Sequence, residues 1–238
     1  MNRTIFYYIF SFAYIFGSSF WGVLPCFSES PAHNIVDHDT VKNNQILFNG
    51  KMWRNLYINV KGDQFFFSKE FTAGSLTING TTFNDIYINY DIYNDEILTP
   101  NNYGSIVQLN KEMVDSFTVD FGGKKYRFVN ADADSLPVIK GFVSVLYKRK
   151  SALYVKYKKE IAALAVEDKY DLFFRTYRVY FIKEGIVHQI SSRSELLKIL
   201  KKDKSRIRDF IKKNKLKLSN KEPDSFVPII RYYDSLSR

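Results

Sequence analysis

The residues that do chemistry most often are scarce in this chain. It has 3 histidines and 1 cysteine in 238 residues. His33 and His38 flank Asp37 and Asp39, a mixed imidazole and carboxylate group of the kind that can ligate a metal. No further His or Cys stands near them in sequence to complete a set, so a polar N-terminal tail is the simpler reading and no metal or cofactor is expected. His188 sits in an apolar, strand-like stretch and reads as structural. Asp91, Asp95 and Glu96 are the one carboxylate group that would suit acid–base work in a hydrolase. Asp95 and Glu96 are adjacent, so a strand would point them to opposite faces, and a polar turn accounts for them as well. A Gly-x-Ser-x-Gly elbow and a phosphate-binding glycine loop are both missing from the sequence. These features favour a non-catalytic protein.

Charge is the uneven feature. The chain is net +10. Residues 33–139 carry 9 basic and 13 acidic residues, whereas residues 140–238 carry 25 basic and 11 acidic. Lys148, Arg149 and Lys150 are expected to face Lys156, Lys158 and Lys159 across a hairpin, with Arg175 and Arg178 on the next strand. Tyr147, Tyr154, Tyr157 and Tyr177 are interleaved with them. Like charges opposed across strands cost stability, so an uncompensated cluster suggests a use. Such a face suits an anionic partner: lipid phosphates, anionic glycans or an acidic protein surface. A solvated basic face that maintains solubility is the bland alternative.

The N-terminus reads as an address. Arg3 precedes residues 4–25, which carry no charge, and small residues follow at Ser28, Ser30 and Ala32. This is the outline of a signal peptide over residues 1–28, followed by a flexible N-terminal segment over residues 29–44. An uncleaved anchor and a lipoprotein acylated at Cys26 are the competing readings. All three place the body outside the cytoplasm, in the periplasm or cell envelope, and export argues against nucleic acid as the partner.

The elements that position these residues follow from turn chemistry and periodicity. Aromatics make up 17% of the chain, which favours strands. Asn49-Gly50, Asn79-Gly80, Gly122-Gly123 and Glu184-Gly185 separate apolar, alternating segments and predict hairpins. Residues 160–168 are Ala-rich and read as a short helical or mobile linker. Ser192 with Glu195 three residues later has the spacing of a capping box, and from there the apolar period becomes helical. Asp203 and Asp224 are expected to cap two further helices. The predicted fold is α+β: an antiparallel β-meander, open or half-barrel-like, over residues 45–139, continued by hairpins and C-terminal helices over 140–238 that pack with it as one unit.

The stretch Ile88-Asn89-Tyr90-Asp91-Ile92-Tyr93-Asn94-Asp95-Glu96-Ile97-Leu98 resembles a segment of uncharacterised exported, β-rich proteins of Bacteroidota. Val114-Asp115-Ser116-Phe117, Ile211-Lys212-Lys213-Asn214-Lys215-Leu216 and Tyr232-Tyr233-Asp234 look similar too. The resemblance implies an envelope protein with a β-rich body and implies no activity. Two functional classes follow for the body: a non-catalytic binding protein that uses its basic face, or a carrier whose open half-barrel holds an apolar ligand or lipid. A carrier needs an unfilled apolar interior.

Overall fold

In the computed structural model the turn signals become a meander of eleven strands: β1 (Gly50–Met52), β2 (Thr72–Ile78), β3 (Thr81–Asp91), β4 (Glu96–Pro100), β5 (Ile106–Leu109), β6 (Val114–Phe121), β7 (Lys124–Asn130), β8 (Phe142–Lys148), β9 (Ala152–Val166), β10 (Tyr170–Lys183) and β11 (Ile186–Ile190). The structure describes residues 45–132, 138–219 and 221–236. They fall within one compact unit, His38–Arg238. The expected signal peptide, Cys26 and the His33/His38 group lie outside the described residues.

The strands form one sheet in the order β1-β5-β4-β3-β2-β6-β7-β8-β9-β10-β11. Every strand pair in it is antiparallel. Three of the expected turns close their hairpins with both central residues at positive φ: Asn79 and Gly80, Gly122 and Gly123, Glu184 and Gly185. This is the backbone that type I′ turns require and that the strand twist favours.

Two sequence expectations are corrected. Asn49-Gly50 makes no hairpin: residues 45–47 are helical, and β1 pairs with β5 rather than with a neighbour across that turn. Gly50 is needed there for close approach, because a Cβ on it would strike the backbone oxygen of Gln108. Residues 160–166 are not a linker; they continue β9, with Ile161 opposite Phe173 and Ala162 opposite Leu172. A ladder of hydrogen bonds along a fifteen-residue strand outweighs the weak helical preference of a few alanines.

The sheet is bridged by a short strap over residues 61–66. At one end Lys61 N donates to Asp171 O and Phe173 N to Lys61 O, at 2.8 and 3.0 Å. At the other end Ile92 N donates to Gln64 O and Phe66 N to Tyr90 O, at 3.0 and 2.9 Å. The strap therefore ties β10 to the end of β3. Inside the curl it places Phe66 against Tyr90, Phe128 and Tyr157, with ring centroids 4.8–6.3 Å apart. Phe117 stacks on Phe128 at 4.8 Å, and Phe142 meets Phe117 edge-on at 5.2 Å. Rings in such geometries add about 0.5–1.5 kcal/mol per pair beyond their burial.

The C-terminal helices α1 (Arg193–Ile199), α2 (Lys204–Lys213) and α3 (Val227–Leu236) complete the same core. Leu196, Leu197, Ile207, Ile211, Ile229, Ile230 and Tyr233 are buried in it. Ser192 caps α1 by accepting from Glu195 N at 3.2 Å. The Glu195 carboxylate reaches back to Ser191 N at 2.6 Å, one residue earlier than a standard capping box. Asp203 and Asp224 do not cap as expected: Asp203 makes no side-chain cap bond, and Asp224 lies in the 3-10 turn before α3 and pairs with Lys124 at 2.7 Å. A second, smaller apolar cluster with Ala131, Ile139, Val143, Tyr154 and Tyr180 lies on the opposite face of the sheet.

Candidate functional site

The β9–β10 register sorts the basic residues read from the sequence. Lys148 stands opposite Ala152, so Lys148, Arg149 and Lys150 occupy the tight β8–β9 turn. Lys156, Lys158 and Lys159 stand further along β9, opposite Arg178, Thr176 and Arg175. The two lysine groups therefore do not face each other as expected; the opposed like charges are Lys156–Arg178 and Lys159–Arg175. Alternation splits the rest. Tyr157, like Leu153 and Val155, belongs to the main core, and Tyr147 of β8 joins it there. Tyr154 belongs to the opposite face, which Lys156, Lys158 and Arg178 share by strand period.

Two of these cations are neutralised by carboxylates far away in sequence. Lys156 Nζ donates to Asp95 Oδ1 at 2.7 Å and to Phe142 O at 3.0 Å. Lys159 Nζ pairs with Asp63 Oδ1 at 2.9 Å and also reaches Asp63 O at 2.5 Å. Lys158 lies 4.0 Å from Glu160. Arg175 rests 5.1 Å from the Phe67 ring centroid. Arg178 is exposed and, among the described residues, has no carboxylate partner.

Asp95 organises the centre of this region. It sits at φ +61 in the β3–β4 turn, a conformation that short Asp tolerates. Its carboxylate takes Lys111 and Lys156 and accepts the Tyr90 hydroxyl at 2.5 Å. Burial alone would raise its pKa, but the Lys156 charge and the three hydrogen bonds hold it below the ordinary carboxylate value. Burial lowers the Lys156 pKa more than Asp95 raises it, so that group lies below its ordinary value. Tyr90 is pushed well above its ordinary value by burial and by the neighbouring Asp95 charge. Behind it Asp91 accepts from the backbone N–H groups of Tyr93 and Asn94, both at 2.9 Å, and shapes the turn. Two of the three carboxylates thus serve structure: Asp91 folds the turn and Asp95 pins it to β9, while Glu96 is half-buried on β4 and its pKa is raised by burial and by the Asp91 charge. Asp95, Lys156, Lys158 and Arg178 border a cleft of about 390 Å³ on the outer face of β9 and β10.

A denser cationic surface lies on the helices. Residues 193–221 carry 12 Lys and Arg against 3 Asp and Glu, net +9 in a chain of net +10. Among the described residues the stretch has one ion pair, Arg206–Asp203 at 3.8 Å. Arg193, Lys198, Lys204 and Arg208 surround a cleft of about 380 Å³ between α1 and α2, with Leu197 and Ser194 and no carboxylate in its lining. Lys204, Arg208 and Lys212 recur every four residues, which stacks like charges along one side of α2. The composition shift toward the C-terminus was the signal for these residues; assigning the charge to the strands, rather than to the helix flank, left them out.

The chain matches no family model, no curated protein and no solved structure. The resemblance to exported Bacteroidota proteins therefore rests on the motifs quoted above. Among the described residues no cluster of three metal-ligating side chains occurs, and no helix is long and apolar enough to cross a membrane.

Proposed function

We propose that this is an exported, non-catalytic protein of the cell envelope that engages an anionic phospholipid surface through the α1–α2 face. The observation that carries the reading is the α1–α2 cleft, which Arg193, Lys198, Lys204 and Arg208 line with no carboxylate among them. Holding like charges together costs stability, and an anionic surface returns that cost by neutralising them. Ile207 and Ile211 of α2 are buried in the core, and its third apolar residue, Phe210, is half-buried and stacked on Tyr232 at 4.1 Å. The attachment is peripheral and electrostatic. The uncharged run over residues 4–25, as signal or anchor, supports a life beside a membrane. The aromatic filling of the curled sheet works against the carrier reading, since Phe66, Tyr90, Phe117 and Phe128 occupy the space an apolar ligand would need. In the acidic β3–β4 turn Asp91 and Asp95 are taken up by hydrogen bonds and ion pairs, which works against the hydrolase reading.

The test is co-sedimentation with vesicles of phosphatidylglycerol and phosphatidylcholine beside vesicles of phosphatidylcholine alone. Binding to the anionic vesicles only, weakened on the order of 100-fold by Lys198→Gln, Lys204→Gln and Arg208→Gln together, is expected from about 1 kcal/mol per cation near the surface. Equal binding to both vesicles overturns the reading. Capture by duplex DNA in place of anionic vesicles would transfer the surface to a nucleic-acid partner.

A further inference from the structure

The cleft on the outer face of β9 and β10 is separate from the helical surface and has a different character. Its volume, about 390 Å³, lies within the range of small-molecule sites, ~300–1,000 Å³. Its lining is mixed: Ile92, Ile139 and Tyr180 form an apolar part, all three buried, beside charged side chains that include the carboxylates of Asp95 and Glu160. Four cations line the cleft: Lys140, Lys156, Lys158 and Arg178. Lys156 is directly opposite Arg178, and Lys158 lies two residues along the same face. Lys156 is held by Asp95 and Lys158 stands near Glu160, and among the described residues the Arg178 guanidinium makes no ion pair. Asp95 is already engaged by Lys111, Lys156 and Tyr90. Like charges placed directly opposite each other on a ladder repel, and an anion seated between them reverses the sign of that interaction.

We propose that this cleft is a binding site for a small anionic ligand with an apolar or aromatic body. Its carboxylate or phosphate oxygens are taken by Arg178 and Lys158, and its body lies against Tyr180 and Ile139. The planar guanidinium of Arg178 suits a two-oxygen grip on either anion. The ion pair between Lys156 and Asp95 closes the inner end and sets the depth to which the anion enters.

The experiment is titration calorimetry of the full-length protein with phenyl phosphate, with benzoate and with phenol. Saturable one-site binding of at least one anion, and none of phenol, is expected. Benzoate alone identifies a carboxylate ligand, and phenyl phosphate alone a phosphate ester. Arg178→Gln is expected to weaken binding about 10-fold or more, the scale of one charge-assisted hydrogen-bond pair. Thr176→Trp, which fills the same face, is expected to abolish it, and Lys125→Gln on β7, an exposed cation outside both clefts, to leave it unchanged. Arg178 is exposed, so its variant keeps the fold, checked by an unchanged urea midpoint. Binding of phenol as tight as that of the anions overturns the proposal. So does full affinity in Arg178→Gln, or a loss in Lys125→Gln. Vesicle binding by the α1–α2 face is read separately and stands or falls without this result.

Discussion

Lys156 Nζ meets Asp95 Oδ1 at 2.7 Å although 61 residues separate them in the chain. The pair joins β9 to the β3–β4 turn, beside the backbone bond from Lys159 N to Ile92 O at 3.3 Å. Both side chains are largely buried, at 19% and 18% exposure. Removing the cation leaves Asp95 with Lys111 and Tyr90 only. Lys156→Met is therefore expected to lose about 2–3 kcal/mol in urea denaturation, below the full cost of an orphaned buried charge because two partners remain.

Gly141 makes room for that carboxylate. It holds φ +68, and a Cβ built on it would overlap Asp95 Oδ2 and crowd Lys111 Nζ. Gly141→Ala combines left-handed strain with displacement of the ion pair, and an expected loss of about 2 kcal/mol or more would appear as a lower thermal midpoint. Gly123→Ala, at φ +74 with open space around it, carries the backbone strain alone and is expected to cost about 1 kcal/mol.

Acid should expose the Asp95 contribution. Its folded-state pKa is below the ordinary carboxylate value, so its stabilisation is present above that ordinary value and is lost as pH falls through the folded one. Stability measured from pH 6 downward should fall steeply for the wild type once the pH passes below the ordinary carboxylate value. Asp95→Asn should start lower and fall less. The stability difference between the two is expected to narrow in that acid window; a constant difference would remove Asp95 from the account.

Asp234 docks the last helix. Its carboxylate accepts from Ser151 Oγ at 2.7 Å, Ser151 N at 3.1 Å and Tyr147 OH at 3.0 Å. These bonds fix α3 to the β8–β9 turn, and Ser151 is buried. Asp234→Ala is expected to cost about 2 kcal/mol and to raise amide exchange in α3 ahead of the sheet.

Lys204 separates stability from binding. Lys204→Glu puts an acid in the first turn of α2, four residues before Arg208. That should stabilise the helix by about 0.5–1 kcal/mol through the dipole and the new pair. The same change removes a cation from the α1–α2 cleft, so affinity for anionic vesicles should drop while the thermal midpoint rises.

The sequence by itself determined the local events. Two-residue turns such as Asn79-Gly80 and Gly122-Gly123 are settled by φ/ψ sterics within four residues, and the change of period at Ser192 is a property of one segment. The excess of basic residues past residue 140 is likewise visible without a fold. What the tertiary structure alone decided is which of those charges remain uncompensated. Asp63 and Asp95 neutralise Lys159 and Lys156 from 96 and 61 residues away. No window of sequence relates them, because the curl of the sheet and the strap over residues 61–66 bring them together. The Asn49-Gly50 signal failed for the same reason: β5 offered β1 a better partner than the adjacent segment did. Local sterics act through covalent neighbours, whereas ion pairing and strand choice follow from the closure of long loops. So the twelve cations of residues 193–221, which make one ion pair among the described residues, emerged as the charged surface only once the strand lysines had found their partners.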